Sequence, residues 1–117
     1  MRILISYEDS YRIYSDVLES ALSGLRPEAE VAACRLGALG EQVERFDPHL
    51  VVSSRPNTVD PGGRPAWYKL SHEPSEPSEA CLNGRRSRRQ NPDIEEVLSF
   101  VDEVEVLVRS GRELGGC

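Results

Sequence analysis

The chain has 117 residues, a formal net charge of −6 and 38% hydrophobic residues, which is enough apolar sequence for one core. The negative charge argues against nucleic acid or an anionic membrane as a partner of the whole surface, because the mean field repels polyanions. The cysteines Cys34, Cys81 and Cys117 lack metal-site spacing and are predicted to be free thiols. Since the apolar runs fall short of a signal peptide and of the roughly 20 residues of a membrane span, we expect a soluble cytoplasmic protein.

The first half of the chain alternates between strand and helix patterns. Short apolar runs typical of buried strands occupy Ile3 to Tyr7, Glu30 to Cys34 and Leu50 to Ser54. The first intervening helix, capped by Asp9 or Ser10, has one predicted buried face. That face contains Ile13, Tyr14, Val17, Leu18, Ala21, Leu22 and Leu25. The second helix is marked by Leu36, Leu39, Val43 and Phe46. This alternation predicts a parallel sheet with the first strand between the other two.

The second half follows a different pattern. Proline, glycine and asparagine between Pro56 and Pro65 predict a long loop in place of a third helix. Strands are predicted at Ala66 to Ser71 and at Glu79 to Leu82, and the dipeptide Asn83-Gly84 favours a tight hairpin turn. We therefore expect a small antiparallel meander that ends near Arg89.

A C-terminal helix is predicted next, with Asn91 as its cap and Pro92 in its first turn. Its apolar stripe comprises Ile94, Val97, Leu98, Val101, Val104 and Val108. The glycine-containing residues 111–117 predict a flexible tail. The whole pattern predicts a single α/β domain over residues 1–110.

Polar side chains follow the predicted parallel strands where these strands end. Since the carboxyl ends of parallel strands form one edge of a sheet, these residues are candidates for a crevice that binds a small molecule or phosphate. The candidates are Glu8 and Asp9, Arg35, Ser54 and Arg55, and Ser71. The carboxylates of Glu8 and Asp9 suit Mg²⁺, but acidic residues also favour a helix start without any metal. We favour the second explanation and expect no cofactor.

The start of a response-regulator receiver domain is similar to two segments of this chain, residues 3–10 (ILISYEDS) and 46–56 (FDPHLVVSSRP). In that family an acidic pair binds magnesium, and an aspartate at the end of the third strand accepts a phosphoryl group. The match places Glu8 and Asp9 at the acidic pair and Ser54 at the phosphoacceptor position. Over residues 2–56, the resemblance implies a three-layer receiver-like fold, with the loop, the meander and the last helix completing the domain.

The chain departs from the receiver pattern at the residues that carry the chemistry. Ser54, or Ser53 if the match is shifted by one residue, has no carboxylate to accept a phosphoryl group or bind the metal. Ser71 can replace the family's hydroxyl residue, but no lysine follows Leu82. The resemblance therefore implies a non-enzymatic pseudo-receiver that binds an unidentified protein, or a second copy, in signalling or regulation. A similarity of residues 4–7 to the start of TIR domains is a likeness of fold alone.

The densest charge cluster is Arg85, Arg86, Arg88 and Arg89. Arginine side chains suit phosphate or carboxylate groups, so the cluster is a candidate contact for anions, nucleic acid or acidic peptides. The alternative, which we favour at this point, is a solvated strand whose charges protect a sheet edge. Trp67 is expected in the core rather than at a binding surface.

Overall fold

The computed structural model describes residues 1–8, 12–54, 64–71, 76–90, 93–111 and 116. These residues form a mixed α/β domain, which confirms the predicted class. In chain order the elements are β1 (Arg2–Tyr7), α1 (Arg12–Leu25), β2 (Glu30–Arg35), α2 (Leu39–Phe46), β3 (Leu50–Ser54), β4 (Ala66–Leu70), β5 (Ser78–Leu82), β6 (Arg85–Arg89) and α3 (Ile94–Arg109). A short 3-10 turn, Leu36–Ala38, leads into α2. Of the helices described, none has the length and apolar character needed to cross a membrane.

One sheet contains all six strands in the order β2-β1-β3-β4-β5-β6. Strands β1 to β4 run parallel to one another, and β1 lies between β2 and β3 as predicted. Strands β5 and β6 are antiparallel and complete the predicted meander with β4. The hairpin turn between them places Asn83 and Gly84 at φ angles of 52° and 86°, the backbone region that an Asn-Gly pair favours.

Helices pack on both faces of the sheet. Successive strand residues point to opposite sides, and each side carries apolar residues that a helix covers. Helices α1 and α3 cover the face that contains Ile5, Val52 and Tyr68. Helix α2 covers part of the other face, here called the α2 face, where it packs against residues that include Leu4 and Trp67. Trp67 is 2% exposed, which confirms its predicted place in the core.

The predicted buried face of α1 is wrong in part. Leu18 and Leu22 are buried, but Ile13 is 82% exposed and Val17 is 63% exposed. The exposed part of the predicted face also includes Tyr14 and Leu25. The apolar residues cover a wider arc of the helix than the sheet can bury, and helical spacing does not show which part of that arc faces the sheet.

The start of α3 also differs from the prediction. Its cap is Asp93, whose carboxylate accepts a hydrogen bond of 2.9 Å from the backbone N–H of Glu96. Asn91 and Pro92 lie outside the described residues. The buried stripe includes Phe100, which the predicted stripe omitted, whereas Ile94 is 42% exposed. Phe100 packs edge-on against Tyr68, with ring centroids 5.1 Å apart.

Polar contacts hold the amino ends of β1 and β3 together. The backbone N–H of Arg2 donates to His49 Nδ1 at 3.0 Å, and the backbone N–H of His49 donates to the carbonyl of Arg2 at 3.0 Å. Burial lowers the pKa of His49, and the nearby positive charges of Arg2 and the N-terminus lower it further. His49 is therefore a structural acceptor in its neutral form.

Candidate functional site

A row of six polar side chains crosses the α2 face near the carboxyl ends of the parallel strands. The strand register pairs each member with the next, starting from the edge strand β2. The row is Cys34, Ser6, Ser53, Lys69, Glu79 and Arg88. Ser6 and Ser53 are buried, and Ser6 lies beside Cys34 in the strand register. Sequence reasoning missed this row because the register of strands far apart in the chain creates it.

The predicted crevice is only partly described. Glu8 and Arg35 line an open cavity of about 460 Å³ beside the 3-10 turn. Ser54 is the last residue of β3, but its side chain is outside the described part, as are Asp9 and Arg55. The two explanations for Glu8 and Asp9, a ligand crevice and a helix start, therefore both stay predictions.

Ser71 and the proposed magnesium ligands give no further support for the crevice. The backbone N–H of Ser71 donates to Ser78 Oγ at 2.9 Å, a contact that links the ends of β4 and β5. Within the described ranges, no three His, Cys, Asp or Glu side chains come together as a metal site would require. Because Asp9 lies outside those ranges, the Glu8 and Asp9 pair remains a prediction.

The arginine cluster lies at one edge of the sheet. Strand β6 is last in the strand order and pairs with β5. Arg86 and Arg88 lie opposite Cys81 and Glu79 and therefore point to the α2 face. The other two arginines, Arg85 and Arg89, point to the face that carries α1 and α3. The single cluster seen in the sequence is thus two pairs, one on each side of the edge.

Two of these guanidinium groups lie over aromatic rings. The guanidinium carbon of Arg86 lies 5.7 Å from the ring centroid of Trp67, and the ammonium of Lys69 lies 4.7 Å from the same centroid. On the opposite face, the guanidinium carbon of Arg89 lies 5.6 Å from the ring centroid of Phe100. Cations at such distances are attracted by the ring quadrupole.

A cavity flanks β6 on each face of the sheet. The cavity on the α2 face has a volume of about 280 Å³ and is lined by Trp67, Glu79, Arg86, Ser87 and Arg88. The second has a volume of about 550 Å³ and lies between β6 and the first turns of α3, lined by Ser87, Arg88, Arg89, Gln90, Glu96 and Ser99. Arginine side chains therefore border a concave surface on both sides of the edge.

The charge of β6 is opposite to that of the remaining chain. Four of the 14 lysine and arginine residues lie in this strand, whereas the whole chain has 20 aspartate and glutamate residues. Arg85, Arg86 and Arg88 are exposed and Arg89 is half-buried. Strand β6 therefore concentrates positive charge on an otherwise acidic protein, and one carboxylate, Glu79 or Glu96, lines each cavity beside it.

The prediction of free thiols is wrong for Cys81. Cys34 is a free thiol, and burial raises its pKa. Cys81 is buried in β5 and is disulfide-bonded. Cys117 lies outside the described residues. The wide spacing of cysteines in the sequence therefore did not exclude a disulfide.

Comparisons with protein-family models, with curated proteins and with solved structures found no match to this chain. Its function has to be inferred from its own residues and geometry.

Proposed function

We propose that the chain is a receiver-like domain without phosphoryl-transfer activity that acts by binding another protein in signalling or regulation. The observation that supports the binding role most directly is the apolar strip of α1, which consists of Ile13, Tyr14, Val17 and Leu25. These side chains are 82%, 44%, 63% and 53% exposed, respectively. Residues 13 and 17 are neighbours on a helix surface. Single exposed apolar residues are ordinary, but a set on one helix is typical of an interaction surface.

A second copy of the chain is the partner that can be tested directly. We expect sedimentation equilibrium to show concentration-dependent dimers for the wild type and a monomer for the double variant Ile13→Glu with Val17→Glu. The matched control, Ser23→Glu with Gly40→Glu, adds the same charge to exposed helix positions outside the strip, and a side chain at Gly40 meets no atom within 4 Å. A wild type that stays monomeric at its solubility limit, or a control that dissociates equally, would contradict self-association through this strip.

The absence of phosphoryl transfer is tested separately. Incubation with acetyl phosphate and Mg²⁺ should leave the intact mass unchanged, because a serine at the phosphoacceptor position has no carboxylate nucleophile. A stoichiometric gain of one phosphoryl group that is lost on mild hydroxylamine treatment would refute this part of the proposal.

A further inference from the structure

We propose that β6 is a docking edge for an extended acidic segment of a partner protein, which adds to the sheet as a further strand. The inference rests on the proposed binding role and specifies the chemistry of one partner. It concerns the opposite part of the fold from the apolar strip of α1, so the two surfaces can be tested independently.

The backbone of β6 is suited to strand addition. Strand β6 forms its ladder with β5 and ends the strand order of the described sheet. A strand at the end of a sheet presents backbone N–H and C=O groups along its outer side, and an extended peptide can pair with them. The five residues of β6 are long enough for such a ladder.

The charge of β6 determines what kind of strand can pair with it. A second β6 would bring two sets of four arginines together, and like charges on opposed strands are destabilising. A segment with glutamate or aspartate at alternating positions instead places carboxylates beside guanidinium groups, which bind them with charge-assisted hydrogen bonds. Charge complementarity therefore selects an acidic strand over a second copy of the same edge.

The side-chain surfaces beside β6 fit the alternation of an added strand. Its side chains would point in turn to the two faces, where the cavities of about 280 Å³ and 550 Å³ lie. On the α2 face the carboxylates would meet Arg86 and Arg88. Because Arg86 lies over Trp67 and Arg89 over Phe100, binding should restrict these two side chains less than it would restrict arginines without such contacts.

Protection of the sheet edge against unwanted strand pairing explains less of this arrangement than recognition of a partner strand does. Repulsion between sheet edges requires only exposed charge. Here two guanidinium groups are supported by aromatic rings, and each face offers a concave surface next to them. These are features of recognition, in which backbone pairing gives affinity and side-chain pockets give specificity.

The test uses a fluorescent peptide of alternating glutamate and valine, titrated with the full chain at low salt. One comparison peptide replaces glutamate by glutamine, and a second keeps the glutamates but carries N-methyl groups on alternate backbone nitrogens. A single-stranded DNA of equal charge serves as a simple polyanion. The charge-reversal variant is Arg86→Glu with Arg88→Glu, and its matched control is Arg12→Glu with Arg45→Glu, which makes the same charge change at exposed positions elsewhere.

We expect the glutamate peptide to bind, and its affinity to fall about tenfold or more with either the charge-reversal variant or the N-methylated peptide. The control variant should bind within about twofold of the wild type, as exposed charges far from the edge contribute little. Backbone amide resonances of residues 85–89 should shift on binding. If the charge-reversal variant were to unfold, Arg86→Gln with Arg88→Gln should still show a partial loss.

Three results would overturn the proposal. One is the absence of binding by the glutamate peptide at low salt, where electrostatic attraction is strongest. The others are equal affinity of the N-methylated peptide, or DNA binding as tight as peptide binding, since either would make β6 a charged patch without strand pairing. None of these results would change the sedimentation behaviour of the α1 variants, so failure here is distinguishable from failure of the proposed binding role.

Discussion

Tyr68 carries a hydroxyl that is buried without a partner among the described residues. Its side chain is 0% exposed, and no described group forms a hydrogen bond with the hydroxyl. Burial raises the pKa of this phenol to about 12. The ring stabilises the core, because it packs edge-on against Phe100 with an interplanar angle of 83°. The phenol therefore contributes through its ring, while its hydroxyl is a cost.

The substitution Tyr68→Phe removes the hydroxyl and keeps the ring. An unpaired buried polar group costs about 1–3 kcal/mol, and loss of one oxygen leaves a small void that offsets part of the gain. We expect the free energy of unfolding to rise by about 1 kcal/mol, which corresponds to an increase in Tm of about 4 °C or more for a domain of this size. Tyr68→Ala should instead cost about 3–5 kcal/mol, because it also removes the ring.

Urea denaturation measures this difference directly. The only tryptophan of the chain, Trp67, is buried and reports unfolding by its fluorescence. The midpoint should rise with an unchanged slope, since the area exposed on unfolding is the same. The control Tyr7→Phe removes a hydroxyl from a side chain that is only half-buried and should change stability little. A loss of about 1 kcal/mol or more in Tyr68→Phe would show that the hydroxyl is paired in solution, and would refute the reasoning.

Three further predictions concern stability, pH and thiol chemistry. Leu22→Ala should cost about 2–5 kcal/mol by leaving a cavity, whereas Val17→Ala on the same helix should stay within about 0.5 kcal/mol; equal costs in urea would contradict the exposure of the apolar strip. Because the folded state lowers the pKa of His49 from 6.5, the unfolded state takes up the proton first, so stability should fall as the pH drops below that value. His49→Asn, which keeps an acceptor, should lack this step in a pH series of melts. In the denatured chain, iodoacetamide should modify Cys34 without reductant and Cys81 only after reduction; modification of Cys81 without reductant, located by peptide mapping, would disprove its disulfide.

Local patterns predicted most of the elements, because their causes lie within a few residues. Short apolar runs between turn residues predicted β1, β2 and β3, and the pair Asn83-Gly84 predicted the hairpin. The sequence predicts Asn91 as the cap of α3, but the cap is Asp93. Both residues have side chains suited to capping, so local pattern alone does not choose between them. The buried arc of α1 could not be predicted, as it depends on how the helix lies on the sheet.

The candidate sites likewise include features that local sequence predicts and features that depend on the packing of distant elements. The arginines of β6 are adjacent in sequence, so their clustering was visible, and strand alternation alone separates Arg86 and Arg88 from Arg85 and Arg89. Their aromatic partner Phe100 belongs to a different element, and its contact with Arg89 arises only when α3 packs on the sheet. The polar row from Cys34 to Arg88 likewise depends on the register of all six strands.

The sequence of β6 is a palindrome, Arg-Arg-Ser-Arg-Arg, centred on Ser87. Two arginines face each side of the sheet, and reversing the direction of the strand leaves that distribution the same. An approaching anionic strand therefore meets the same field whether it runs parallel or antiparallel to β6. Its direction must be set by the geometry of the backbone ladder and by contacts outside the palindrome, so charge attracts the strand and the ladder orients it.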